Sequence, residues 1–289
     1  MSLNHSEIQV LLDQARQLRH DIVNTTVWAG GAHIGGAMSV VDILTLLYFH
    51  TMKIDPSRPG WEDRDRLILS KGHAGVGFAP VLARKGYFPL EQLETFNHFK
   101  SPFGMHLDGA KVPGCDVSTG SLGHGLPMGV GLALGARYQK KDWRVFCILG
   151  DGECNEGSNW EAAMAASHYK LNNLITILDR NSLMIDGPTE EVMGLEPLAD
   201  KWRAFGFNVI ETDGHDFSAL DSALGDALAH TAGPSLILAH TVKGKGISFM
   251  ENDVRWHYGS IDSALAVKAR ESINQYYAGM TATKGEAHE

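Results

Sequence analysis

The chain has 289 residues, 44% hydrophobic and 20% charged, a composition that suits one large α/β domain with a substantial core. Its formal net charge of −9 leaves no electrostatic footprint for nucleic acid or for an anionic membrane. No apolar run approaches the roughly 20 residues that span a bilayer, and Asn4 to His20 is polar and periodic, unlike a signal peptide. Cys115, Cys147 and Cys154 are spaced for neither a metal nor a disulfide framework, so the reading is a soluble, cytoplasmic protein with reduced thiols.

Ile8, Leu11, Leu12, Ala15, Leu18, Ile22 and Val23 recur at helical spacing and predict an opening amphipathic helix. The stretch from Gly30 to Gly36 breaks it, and a second helix is expected over about 39–49. Residues 66–70 read as a short strand entering Lys71-Gly72-His73. Residues 97–125 are rich in glycine and proline, and a loop of that length inside a domain is more often functional than idle. A buried helix over 126–136, a strand over 145–149, a helix over about 158–169 and a strand over 174–178 follow. Next come a helix near 197–205, a strand at 208–210, a turn at 213–216, a helix over 218–229 and a strand at 234–239. That last strand runs into Thr241-Val242-Lys243-Gly244-Lys245-Gly246, which reads as a solvated basic turn in preference to a phosphate site. The alternation predicts an α/β fold: a three-layer α/β/α, mostly parallel sheet in a single domain over 1–289, with a frayed tail from about 280.

The most informative segment is Gly150-Asp151-Gly152-Glu153-Cys154-Asn155-Glu156-Gly157, which follows an apolar strand. A second apolar strand ends in Asp179-Arg180-Asn181. Adjacent strand ends of a parallel βαβ unit lie side by side, so Asp151 and Asn181 can converge. A carboxylate and a carboxamide carbonyl are hard oxygen ligands for a small divalent ion that also holds phosphates. Glycines at 150 and 152 leave room for a diphosphate. His33, His73, His106 and His257 lie in or just beyond glycine-rich loops. They are too scattered for a zinc cluster but suited to binding phosphate or hydroxyl groups and exchanging protons near neutral pH.

The spacing from Gly150-Asp151-Gly152 to Asn181 resembles the thiamine-diphosphate motif. Taken with Ala32-His33-Ile34-Gly35-Gly36, Leu69-Ser70-Lys71-Gly72-His73-Ala74, Gly104-Met105-His106 and Ser118-Thr119-Gly120-Ser121-Leu122-Gly123-His124-Gly125, the chain resembles the N-terminal half of transketolase over about 10–260. The resemblance implies thiamine diphosphate and magnesium, with calcium or manganese acceptable, bound by the Asp151 and Asn181 side chains and the Leu183 carbonyl. Gly150, Gly152 and Glu153 would lie at the diphosphate, with His73 and His257 close to it. His33 and His106 would face the reacting carbon and the sugar hydroxyls. Gly120 and Leu122 would lie against the aminopyrimidine and Ile185 against the thiazolium. Glu156 matches a buried acid at the subunit interface, and reads equally as charge complementarity at a helix N-terminus. His124 replaces the usual Gln and Ile34 the usual Pro, which bears on substrate detail. Only one helix and a tail follow about residue 265, so the resemblance implies the diphosphate-binding subunit of a split enzyme. A separate pyrimidine-binding chain would supply the catalytic glutamate, with two copies of each, for two-carbon ketol transfer from a ketose (phosphate) to an aldose (phosphate). The α subunit of a 2-oxo-acid dehydrogenase, a deoxyxylulose-phosphate synthase-like half and a noncatalytic binding module remain as alternatives.

Overall fold

Helix α1 (His5–Trp28) starts at a reciprocal cap: the Asn4 side chain accepts from the Glu7 backbone N–H at 3.1 Å, and the Glu7 carboxylate accepts from that of Asn4 at 2.8 Å. Its buried face carries Leu11, Ala15, Leu18 and Ile22, as the periodicity predicts. The computed structural model describes residues 3–282. The second helix departs from expectation. The glycine stretch is itself helical from Ile34, forming α2 (Ile34–Ser39), and α3 (Val41–Leu46) follows a break at Val40. A Cβ on Gly35 would stand 2.6 Å from the Trp256 carbonyl oxygen. Close backbone packing therefore requires glycine here, and burial of all of α2 overrides glycine's poor helix propensity.

The sheet is parallel throughout, in the order β1-β2-β3-β5-β4, from β1 (Arg66–Leu69), β2 (Val145–Gly150), β3 (Leu174–Arg180), β4 (Asn208–Asp213) and β5 (Ser235–His240). Helices α5 (Gly125–Tyr138), α6 (Gly157–His168) and α8 (Leu198–Ala204) cover one face, packing on Cys147, Leu149, Leu174 and Leu178. The other face meets α1 to α3, α4 (Gly75–Lys85), α9 (Phe217–Ala229) and α10 (Ser263–Ala282) through Phe146, Ile148, Ile175 and Ile237. Burial on both faces explains why the central strands read as continuous apolar runs. The short α7 (Thr189–Val192) lies in the connection from β3 to α8. Helix α5 is buried along one face only: Leu126, Val130, Ala133 and Ala136 pack inward while Tyr138 is 91% exposed. Residues 97–124 contain neither helix nor strand. The expected tail beyond 282 lies outside the described residues. Among the described residues, no helix is long and apolar enough to cross a membrane.

The chain leaves β3 toward the α8 face and leaves β5 toward the α10 face. Such a divergence opens a crevice beyond the carboxyl ends of the two strands. Close to it, Gly125 lets the start of α5 pack on the residue after β1, because a Cβ there would lie 2.7 Å from the Ser70 Cα. Gly125→Ala is therefore expected to destabilise the fold by about 1–3 kcal/mol through overpacking. Urea unfolding measures this, and an unchanged midpoint would contradict the contact.

Candidate active site

The crevice encloses a cavity of about 260 Å³ walled by residues from His33 to His257. Gly150 on β2 pairs in register with Asp179 on β3, so the residues just beyond these positions emerge together. Asp151 Oδ1 accepts from the Gly152 backbone N–H at 2.7 Å; its Oδ2 accepts from Ser182 N–H at 2.6 Å and from Arg180 Nη1 at 3.3 Å. Asn181 donates through Nδ2 to Asp179 Oδ2 at 3.0 Å and accepts through Oδ1 from Leu183 N–H at 3.1 Å. Ser182 takes a left-handed backbone, φ 64°, at the turn between these residues, a conformation that costs a non-glycine residue about 1–3 kcal/mol and persists where surroundings enforce it.

Charge is concentrated at this point. Burial pushes the Asp151 carboxyl up, and the neighbouring Asp179 charge adds to that. Burial also pushes Asp179 up, but the Lys71 charge and hydrogen bonds from Lys71, Thr241 and Ser39 outweigh it and hold the group ionised. Lys71 also donates to the Gly36 carbonyl at 2.9 Å. Lys243 Nζ donates to the Leu183 carbonyl at 3.1 Å and to His257 Nδ1 at 2.9 Å. Burial, with Lys71 nearby, lowers the Lys243 ammonium to about 8. The expectation of a solvated basic turn is thus corrected: Lys243 is 2% exposed and points into the cavity.

His33, His73 and His257 form a triangle of rings with centroids 5.1 to 5.4 Å apart, and His106 stands 6.4 Å from His33. Burial, helped by neighbouring charged groups, lowers His33 to about 4, His73 to about 2 and His257 to about 3. At neutral pH they are uncharged imidazoles, each with one donor and one acceptor nitrogen. Because His257 Nδ1 accepts from Lys243, its proton sits on Nε2.

Residues 8–276 match the family described as transketolase, thiamine diphosphate binding domain. The chain belongs to the transketolase family. It is 45% identical over 253 residues to the 6-deoxy-6-sulfo-D-fructose transketolase subunit SqwG of Clostridium sp. (strain MSTE9), covering 87% of this chain and 92% of that protein. It is 41% identical over 253 residues to an apulose-4-phosphate transketolase subunit of Phocaeicola vulgatus, covering 88% and 90%. The crystal structure of transketolase from Campylobacter jejuni superposes with a TM-score of 0.87 at 31% identity, covering 94% of this chain but 43% of that one. The chain therefore spans less than half of that transketolase and about nine tenths of the two proteins called subunits.

Within this transketolase-family cleft, the wall contains His33, His73, Gly120, Leu122, Gly150, Asp151, Gly152, Glu153, Asn181, Leu183, Ile185 and His257. His106 is exposed beside it, its ring so close to Gly120 that a Cβ there would lie 2.9 Å away. Glu153 lines the cavity and is also engaged within the chain. Its carboxylate accepts from Ser70 Oγ, Gly123 N–H and Gly150 N–H, tying three loops together. Glu156 is exposed at the N-cap of α6, so it is not buried within this chain and does not line the cavity. The sequence reading assigned Lys71 and Arg180 no role and took Lys243 as solvated. The available signal was position: each lies at or just past the carboxyl end of a parallel strand, where such sheets bind ligands. Among the described residues, no three His, Cys, Asp or Glu side chains form a metal set. The Asp151, Asn181 and Leu183 donors are of another kind, mixing carboxylate, amide and backbone oxygen, which suits a hard divalent cation. The ammonium on the Leu183 carbonyl and the crowded charges of Asp151 and Asp179 indicate that this point favours positive charge.

The lowered imidazoles have a consequence for stability. Unfolded histidines take up protons near pH 6.5, whereas the folded ones wait until about 4, 2 and 3. Between those limits the unfolded state binds more protons, so stability is full above about pH 6.5 and declines as pH falls below it. Thermal midpoints of the cofactor-free chain should drop from pH 7 to pH 5, with a shallower slope in His73→Asn. Identical slopes would mean that His73 is protonated alike in both states.

Proposed function

We propose that this chain is the diphosphate-binding subunit of a split transketolase, a single domain that completes its active site with a separate pyrimidine-binding chain. The observation that carries the reading is the convergence of Asp151, Asn181 and the Leu183 carbonyl with Lys243 in one cleft. Support for a subunit comes from two relatives bearing that word in their names and matched over nine tenths of their length. We assign Asp151, Asn181 and Leu183 to magnesium, with calcium or manganese as substitutes. Lys243 neutralises diphosphate charge, while Gly150 and Gly152 leave space for it. Gly120 and Leu122 flank the aminopyrimidine, and Ile185, 63% exposed in this chain, covers the thiazolium.

A bound thiamine diphosphate supplies a nucleophilic carbon with an electron sink, acting on a ketose carbonyl. The chain's own contribution is orientation and proton transfer. Neutral His33, with His106 at the rim, exchanges hydrogen bonds with sugar hydroxyls and donates to a developing oxyanion, while His73 and His257 stand near the diphosphate. Glu156, exposed at the start of α6, is assigned to the contact with the partner chain. That partner supplies the catalytic glutamate, two copies of each chain assemble, and sugars or their phosphates are donor and acceptor. Three free cysteines among the described residues support a cytoplasmic setting.

The purified chain with magnesium and thiamine diphosphate should show negligible ketol transfer, restored by the partner chain; full turnover alone would defeat the split reading. Asp151→Ala should weaken metal-dependent cofactor binding by more than about tenfold, since even outer-shell losses reach that size. Calorimetry of the assembled enzyme measures it, and unchanged affinity would refute the metal assignment.

A further inference from the structure

Arg19 on α1 and Asp42 on α3 are both buried, do not line the cavity, and form a two-pronged ion pair: Nη1 to Oδ1 at 2.9 Å and Nη2 to Oδ2 at 2.8 Å. Buried pairs of this kind are weak sources of stability and often serve specificity. This pair reaches both ends of the segment that carries Lys243. Arg19 Nε donates to the Lys245 carbonyl at 3.1 Å. Asp42 Oδ2 also lies 2.7 Å from His215 Nδ1, and His215 Nε2 accepts from the Val242 backbone N–H at 2.9 Å. The acceptor role of Nε2 puts the imidazole proton on Nδ1, directed at Asp42. Between the two anchors, the Gly244 N–H donates to the Gly35 carbonyl at 3.0 Å. Gly214 lets the His215 turn close on this segment, because a Cβ there would lie 2.4 Å from Thr241 Cγ2.

We infer that Arg19, Asp42 and His215 are positioning residues that hold residues 242–245 so that Lys243 projects into the cofactor cleft. The inference rests on the diphosphate role given to Lys243 above. A side chain with four rotatable bonds finds one pose only if its backbone is fixed, and the relay supplies that fixation from both sides. Lost positioning should therefore cost cofactor affinity without touching the cofactor.

Two substitutions at His215 separate the links. His215→Asn keeps a donor toward Asp42 and loses the acceptor for Val242; His215→Gln keeps an acceptor at the distal position. Hydrogen exchange of the full, cofactor-free chain should be faster over 241–246 in His215→Asn and near parental in His215→Gln. Titration with thiamine diphosphate and magnesium should show a several-fold loss in His215→Asn, restored in His215→Gln. His215→Asn should add little further loss in a Lys243→Met background, the mark of residues acting through one another. Parental exchange over 241–246 in His215→Asn, or fully additive losses in the double variant, would overturn the inference. A Lys243→Met chain that binds the cofactor normally would instead remove the diphosphate role of Lys243, a separate failure that leaves exchange to judge the relay.

Discussion

The Asp179 carboxylate, fully buried at the end of the central strand β3, is the group on which the arrangement of the cleft depends. Isolated, such a charge would be prohibitively expensive to bury. It is instead surrounded by Lys71, the Ser39 hydroxyl at 2.7 Å, the Thr241 hydroxyl and the Asn181 amide at 3.0 Å. These partners come from α2, the β1 loop, the β5 loop and the β3 turn, so satisfying one charge draws four separate segments to one point. It also sets the direction of Asn181: with Nδ2 committed to Asp179, the amide oxygen is the atom left on the other side.

The same charge raises the carboxyl of Asp151 by repulsion, adding to burial. Two carboxylates at neighbouring strand ends create a demand for positive charge, which Lys71 and Arg180 meet in part. Arg180 bridges Asp151 to Thr189 at 2.7 Å and Glu196 at 2.8 Å, fixing the segment that carries Leu183 and Ile185. Burial and mutual repulsion keep the imidazoles neutral and lower Lys243. The wall thus holds cationic capacity at its floor and uncharged donors toward its mouth, an arrangement suited to a ligand with an anionic tail and a reactive neutral end.

Much of this was legible in the residues because strand ends and glycine turns leave local marks. The parallel order of β2 and β3 followed from two apolar runs flanking a helix, and with it the meeting of Asp151 and Asn181. The start of α2 was not legible, since Gly35 and Gly36 have poor helix propensity and only burial against the 254–258 segment overrides it. Lys243 was misread for a related reason. A basic glycine turn looks the same in sequence whether solvated or buried, and the groups that hydrogen-bond to its backbone, His215 and Arg19, lie far off in the chain. The place of Glu153 in the cleft wall follows from the motif, whereas the hydrogen bonds that its carboxylate accepts from Ser70, Gly123 and Gly150 leave no local mark in the sequence.

The wall of the cleft draws on positions as distant as His33 and His257, and no contiguous stretch contributes more than a few of its groups. A polypeptide still emerging from the ribosome has an incomplete wall until Lys243 and His257 have been synthesised and folded back onto it. The finished cleft is therefore a property of the nearly whole folded chain and of no shorter segment of it.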